Sequence, residues 1–304
     1  MGKLSTATYK ESLKQYAFGV EQDVKSSLAD FIAPRVPVGT GVGTYKKFDT
    51  KDAFQIYDTK RAVGGKATRI SFDADDPTFN CETNALEVPI DDQEREKSGG
   101  NDQALEEARS RTLVINACLA REKKVLDLAL NGLSAADTWD HTGNDDIIAK
   151  IDAQLVAGAK ATGRMFNSMV IGLGAWTWIK NHKSVLDRHV YSDAKAVSLT
   201  GFAAMLAFPS IDVRVGVLAY DKNKKGKTED KEFVLGNEIL LFHRSPNPTQ
   251  FDPSFMKTFS IGNQSVESVY TYRADDCRSD ILAVDWSEDV KVISTMCAKR
   301  ISLV

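Results

Sequence analysis

The chain has 304 residues, 27% of them charged, with 39 Lys and Arg against 42 Asp and Glu and a formal net charge of −3. That length can bury a core in one large domain, or in two or three smaller ones, without metals or disulfides. The charge balance excludes a global pull toward nucleic acid or anionic lipid, so any contact with a polyanion has to be local.

Cys81, Cys118, Cys277 and Cys297 form no CxxC pair, so reduced, mostly buried thiols are expected. The N-terminus MGKLSTATYKESLKQ lacks an apolar signal core, and no run approaches the roughly 18 apolar residues of a membrane span. A reducing, aqueous compartment is the expected setting. Met1-Gly2 with Thr6 meets a crude myristoylation pattern, but nothing polybasic supports a membrane role.

Residues 1–30 carry Tyr9, Leu13, Tyr16, Phe18, Val20, Val24 and Leu28 among polar neighbours, interrupted by Gly19. They read as an arm whose apolar side chains need another surface to cover. FIAPRVPVGTGVGTYKKF, 31–48, is a connector: Pro34 and Pro37 favour extended backbone, and its GxGxG lacks the strand-to-helix setting of a dinucleotide site. Residues 44–88 have strand tendency with little core of their own. Tyr45, Phe48, Phe54, Ile56 and Tyr57 mark one arm of a protruding hairpin, Thr68, Ile70 and Phe72 the other, and Gly64-Gly65 the turn region. An isolated ribbon is marginal in water, so it should rest on a neighbour. At 82–100 a last apolar strand gives way to a charged run. Glu82, Glu87, Asp91, Asp92 and Glu94 there lack the ligand spacing of a calcium loop and read as a solvated face.

Residues 102–131 contain neither proline nor glycine. Leu105, Ala108, Ile115, Cys118, Leu119, Val125, Leu126 and Ala129 recur at three- and four-residue spacing, predicting one helix of roughly 45 Å with a single apolar stripe. Asn101 or Asp102 can cap it, Glu106 and Glu107 lie near its positive end, Lys123 and Lys124 nearer its negative end, and Asn131-Gly132 stops it. A helix this long is a strut that carries other parts; two shorter helices meeting within the stretch are the alternative.

SAADTWDHTGNDD is loop-like. From Asp145 a helix is predicted with Ile147, Ile148, Ile151, Leu155 and Ala159 on one face, capped by Asn144 or Asp145. NSMVIGLG reads as a short buried strand and AWTWIKNHKSVLDRH as one helix, the glycines of GLGAW serving turn geometry. SLTGFAAMLAF is a small-residue helix, and a strand follows through Val213, Val215 and Val217. The sequence then runs through an exposed loop at 221–232, a strand at 237–245 and a turn at PNPTQFDPS. Strands are expected near 265–273, 279–285, 290–296 and 300–304. The C-terminus should pack beside the 145–189 unit, with a 190–265 lobe inserted between its parts.

Chemistry is hard to find. His141, His182, His189 and His243 sit in no HExxH, HxH or Cys/His grouping. Nucleophile-elbow, Walker, kinase and EF-hand signatures are absent. No catalytic, cofactor or metal residue is named, and an enzyme is not expected. What remains is architectural: an arm, a ribbon and an overlong helix attached to two small lobes. Such devices expose apolar surface in a monomer and hide it in an assembly.

In this order FIAPRVPVGTGVGTYKKF, then DAFQIYDTKRAVGGKATRISFDADDPTFNCETNALEVPIDDQER, then a long helix reaching LAREKKVLDLAL resemble the major capsid proteins of tailed bacteriophages, over nearly the whole chain. The resemblance implies an α+β, HK97-like phage capsid fold with an N-terminal arm (1–30), a connector and extended β-hairpin loop (31–100), a long spine helix with the first part of a peripheral domain (101–190), an axial domain (191–265) and the second part of the peripheral domain (266–304). The lysine-rich loop 221–232 would lie near an axial tip.

It further implies a structural subunit, made in a host bacterial cytoplasm and ending in the virion shell. Its partners would be many copies of itself as pentamers and hexamers, a separate scaffolding protein, portal and decoration proteins, and packaged double-stranded DNA touched without specificity. A fused scaffold looks absent. Within that scheme Lys46, Lys47, Lys60 and Arg61 of the ribbon are expected to meet a neighbour's Asp92, Glu106 or Glu107 and set register. A cellular nanocompartment shell and an α/β enzyme are the alternatives.

Overall fold

The computed structural model describes residues 28–48, 59–61, 65–66, 74–99, 102–140, 145–189, 197–223, 228, 230–262 and 269–303. The arm before Leu28, the middle of the ribbon with its Phe54, Ile56, Tyr57, Thr68, Ile70 and Phe72, and Lys224, Lys225 and Lys227 of the lysine-rich loop lie outside them.

A single helical turn, α1 (Ala29–Ile32), opens the described chain. Leu28, Ala29, Phe31 and Ile32 are buried here in an apolar cluster shared with the end of the long helix, so the chain enters the core at Leu28 and does not continue as a surface arm to residue 30. Strand β1 (Arg35–Val38) follows, its extended backbone favoured by Pro37 within it and Pro34 just before it. Two short antiparallel pairs then form the root of the ribbon, β2 (Val42–Thr44) with β5 (Thr78–Asn80) and β3 (Lys47–Phe48) with β4 (Ala74–Asp75). Phe79 of this root stacks on Phe259 at 4.4 Å.

β6 (Glu82–Asp91) leads through the short α2 (Asp92–Lys97) into α3 (Asp102–Asn131), the predicted helix with its predicted ends. Its stripe differs from the expected one in the first half. There Leu105, Ile115 and Cys118 are only partly covered, and the buried positions are Glu106, Ser110, Leu113, Val114 and Ala117. Polar residues on the buried face hid the period: Glu106, Arg121 and Glu122 are inside because each finds a partner there.

Under the first half of α3 lies a sheet whose trunk is β15 (Ser279–Val292). It pairs antiparallel with β6, with β14 (Val269–Ala274) and with β13 (Met256–Ile261), and β1 adds to β13 in parallel. The two strands expected at 279–285 and 290–296 are thus one, and β13 was not foreseen. The second sheet runs β7 (Ala135–Trp139), β16 (Ala298–Leu303), β12 (Glu238–Phe242), β8 (Ser168–Gly172) and β9 (Asp212–Gly216). Ile239 and Leu241 of β12 face a cluster with the helices, whereas Leu240 and Phe242 face the cluster shared with α1 and the end of α3. Both faces are covered, which explains the unbroken apolar run EILLF.

Helices α4 (Ile147–Thr162), α5 (Leu173–Asn181), α6 (Lys183–His189) and α7 (Leu199–Ala204) share an apolar cluster with one face of this second sheet. Asp146, not Asn144 or Asp145, caps α4, its carboxylate accepting from the Ile148 and Ala149 amides. The helix expected over AWTWIKNHKSVLDRH is split at His182, which is extended and accepts the Ser184 amide on Nδ1. SAADTWDHTGNDD contains a strand, β7, because the parallel pairing with β16 supplies what local pattern does not. Gly172 is required by close approach: a Cβ there would lie 2.7 Å from the Leu235 carbonyl oxygen and collide with Gly236.

The layers do not divide at residues 190 and 265. Strands from 133–190, from 191–265 and from the C-terminal segment lie side by side in the second sheet, so no lobe is inserted. The C-terminal strand does join β8 through β12 and contacts α4.

Candidate functional site: assembly surface and charge clamps

The spine helix is fastened at three levels by arginine and carboxylate. Near its start, Arg95 donates to Glu106 at 2.8 Å and contacts Asp280 at 3.0 Å, and Arg109 pairs with Glu94. At mid-length Arg121 donates to Glu288 on β15 and to Asp30 of α1 at 2.8 and 2.7 Å, while Glu122 accepts the Leu28 amide at 3.0 Å. Burial opposes the charge of Arg121, but Asp30 and Glu288 more than reverse this and hold its proton more tightly than usual. At the end, Arg300 grips Glu238 with two nitrogens and donates to the Leu130 carbonyl, which the helix terminus leaves orphaned, and to the Leu133 carbonyl just beyond it.

The residues expected to contact a neighbour fall into two groups. Lys46 pairs with Asp76 across the ribbon root at 2.6 Å. Asp92 forms a two-pronged pair with Arg273 at 2.6 and 2.7 Å, and hydrogen bonding from Arg273 holds its carboxyl below the usual range. Glu106 is buried against Arg95. These three are therefore engaged within the chain. Lys47, Lys60 and Arg61 are exposed, and Glu107, half-buried, accepts from Gln103 at 2.9 Å.

The root of the lysine-rich loop is a hairpin, β10 (Ala219–Asp221) with β11 (Lys231–Phe233), and Tyr220 sits under Lys123 of the spine at 4.5 Å. An open groove of about 480 Å³ is lined by Asp146, Lys183, Ser184, Asp187 and Arg188. Of its two acids, Asp146 is committed: it caps α4 and binds Arg188 at 2.6 Å. Among the described residues no group of three or more His, Cys, Asp or Glu could hold a metal ion, and no helix is long and apolar enough to cross a membrane. His182 caps a helix, and His243 faces the Met165 carbonyl. The clamping residues have no signal in the sequence, whereas the cap of α4 is signalled within one residue of Asp146.

No family model matches the chain. It is 28% identical over 256 residues to the major capsid protein of Burkholderia phage BcepMu, covering 79% of this chain and 81% of that protein. A second relative, the major capsid protein of Pseudomonas phage JBD67, is 26% identical over 136 residues, 41% of this chain and 44% of its own length. A phage-related protein from Bordetella bronchiseptica superposes with a TM-score of 0.72 at 21% identity over 98% of each chain. A virus-like particle from Pyrococcus furiosus does so at 0.57 and 8% identity, covering 96% and 98%. The encapsulin of Synechococcus elongatus gives 0.53 and 14%, covering 91% and 86%. The chain thus has the α+β fold of these solved structures.

Proposed function

We propose that this chain is a structural subunit that assembles with copies of itself into the closed head shell of a tailed phage around double-stranded DNA. The likeness to the BcepMu major capsid protein over 79% of the chain carries this reading. The architecture supports it: a 30-residue strut riveted to a sheet by buried ion pairs is a rigid body, and the ribbon root projects two strands from that body. Many copies of one contact that no single chain can satisfy alone drive closure.

In this reading the sheet under the spine and the sheet under the helices take the places of the peripheral and axial domains, and Lys47, Arg61 and Glu107 remain the candidate register contacts. Electron microscopy of the purified protein tests the assembly. Hollow shells, tubes or capsomers are expected, and a monodisperse monomer under all assembly conditions overturns the reading. DNA protected from nuclease inside particles from infected or induced cells separates a phage head from a cellular nanocompartment, whose particles would hold protein cargo instead.

A further inference from the structure

At the end of the second sheet where β8 begins and β12 ends, two guanidinium groups share one aromatic ring. Arg214 of β9 lies 4.0 Å from the centroid of Phe31, and Arg244, two residues beyond β12, lies 4.6 Å from it. Phe31 itself is buried, held edge-on against Phe242 at 5.6 Å, so the platform is fixed. The backbone under the pair is fixed too. Asn167 accepts the Arg244 amide at 2.9 Å, donates to the Arg244 carbonyl at 2.7 Å, and its own carbonyl accepts the Asp212 amide at 3.0 Å. One side chain and its carbonyl thus tie together the two segments that bear the arginines.

The charges there do not balance. Arg214 reaches Asp212 at 3.3 Å, a long contact between two half-exposed groups. Arg244 has no hydrogen-bond partner for its guanidinium among the described residues, and the charged groups that act on it are Arg214, which opposes it, and Asp212. Burial first, then Arg214, weakens its hold on its proton, an uncommon direction for an arginine. Stacking on Phe31 offsets part of this cost but uses none of the N–H donors. Two planar forks 4.0 and 4.6 Å from one ring, with N–H donors not taken up by the described residues and Asp212 as the acid that acts on both, suit a tetrahedral oxyanion, which presents oxygens in several directions.

We propose that Arg214 and Arg244, stacked on Phe31, form a binding site for a phosphate group, either free or in a polynucleotide backbone. The site does not depend on shell assembly. Thermal unfolding of the full chain is followed against rising inorganic phosphate, with sodium chloride at equal ionic strength as reference, and separately against a short DNA duplex.

A saturable rise with phosphate, weakened about tenfold or more in Arg244→Gln, supports the site and assigns it to the free anion. A rise with duplex alone, lost in the same variant, supports it and assigns it to the backbone. No rise with either, or a rise that Arg244→Gln leaves intact, overturns it. Arg214→Gln, at the other arm of the pair, carries the same test should Arg244→Gln fail to fold. Arg244→Lys, which keeps charge but not the fork, should bind more weakly than the parent.

Discussion

Arg121 Nε donates to Glu288 at 2.8 Å, joining the middle of the spine helix to the trunk strand of the sheet beneath it, with both side chains almost wholly removed from solvent. Neither charge is tolerable there alone. Arg121→Met strands Glu288, and a loss of about 3–5 kcal/mol is expected in chemical denaturation of the dissociated subunit. Removing both charges, Arg121→Met with Glu288→Leu, should recover much of that loss, since a desolvated pair is often replaceable by apolar volume. A double variant no more stable than the single one would show that the pair matters through something other than its charge.

Acid should act on the subunit in two stages. Burial, helped by the nearby Arg164 and opposed by the Met165 carbonyl, pushes the His243 imidazole below its usual pKa. The fold therefore disfavours its charged form, and stability present above about pH 6.5 is lost as pH falls through the folded value. Desolvation pushes the Asp30 carboxyl up, but attraction and hydrogen bonds from Arg121 and Arg35 more than reverse this and leave it lowered. Its contribution is whole above about pH 3.9 and disappears as pH drops through the lower folded value. Melting temperatures measured from about pH 8 to about pH 3 should fall in both windows. His243→Gln should flatten the upper step and Asp30→Asn the lower; variants with unchanged profiles would contradict these assignments.

Arg300 should decide whether the last turn of the spine stays closed. Its guanidinium bridges Glu238 and the Leu130 and Leu133 carbonyls, so Arg300→Met removes the cap while keeping much of the apolar stem. A loss of about 1–3 kcal/mol is expected. Amide exchange should quicken at 128–133 and stay unchanged near Leu113, whereas uniform quickening would point to global destabilisation.

How far these features were legible varies along the chain. Helix α3 was readable from end to end because nothing in 102–131 breaks a helix and Asn131-Gly132 stops one. Its buried face was not, because Glu106, Arg121 and Glu122 look like solvent residues until the partners that neutralise them, far apart in sequence, are known. Strand β7 was read as loop since AADTW has no alternation, and its place comes from parallel pairing with β16. The split at His182 was likewise invisible, because the residue that ends one helix also caps the next. Asp92 read as an acid open to a neighbour, yet Arg273, on β14, occupies it.

Gly172 tests whether the GLGAW turn serves packing alone. A methyl group there would meet the Leu235 and Gly236 backbone, which has no flexible side-chain end to yield. Gly172→Ala should therefore cost about 1–3 kcal/mol or more through overpacking. Gly39→Ala, where a Cβ meets nothing within 4 Å, is the control and should be close to neutral. Equal stability of both variants would remove close approach as the reason for glycine at 172.

The register proposal narrows to the charges that the chain does not already occupy with the partners described above. Lys46, Asp92 and Glu106 have close partners in the same molecule, so reversing them would disturb the subunit before it disturbed an interface. Arg61 and Lys47 are exposed, and Glu107 makes its described hydrogen bond to a neutral side chain, Gln103. Arg61→Glu should leave the melting temperature of the dissociated subunit nearly unchanged, as exposed charges contribute little to folding. It should lower the yield of particles in sedimentation, more steeply at low salt, where screening is weakest. Glu107→Lys combined with Arg61→Glu should restore part of that yield if the two meet across chains. Undiminished yield of Arg61→Glu particles with parental stability would remove Arg61 from the contact, and loss without rescue would give it a partner other than Glu107.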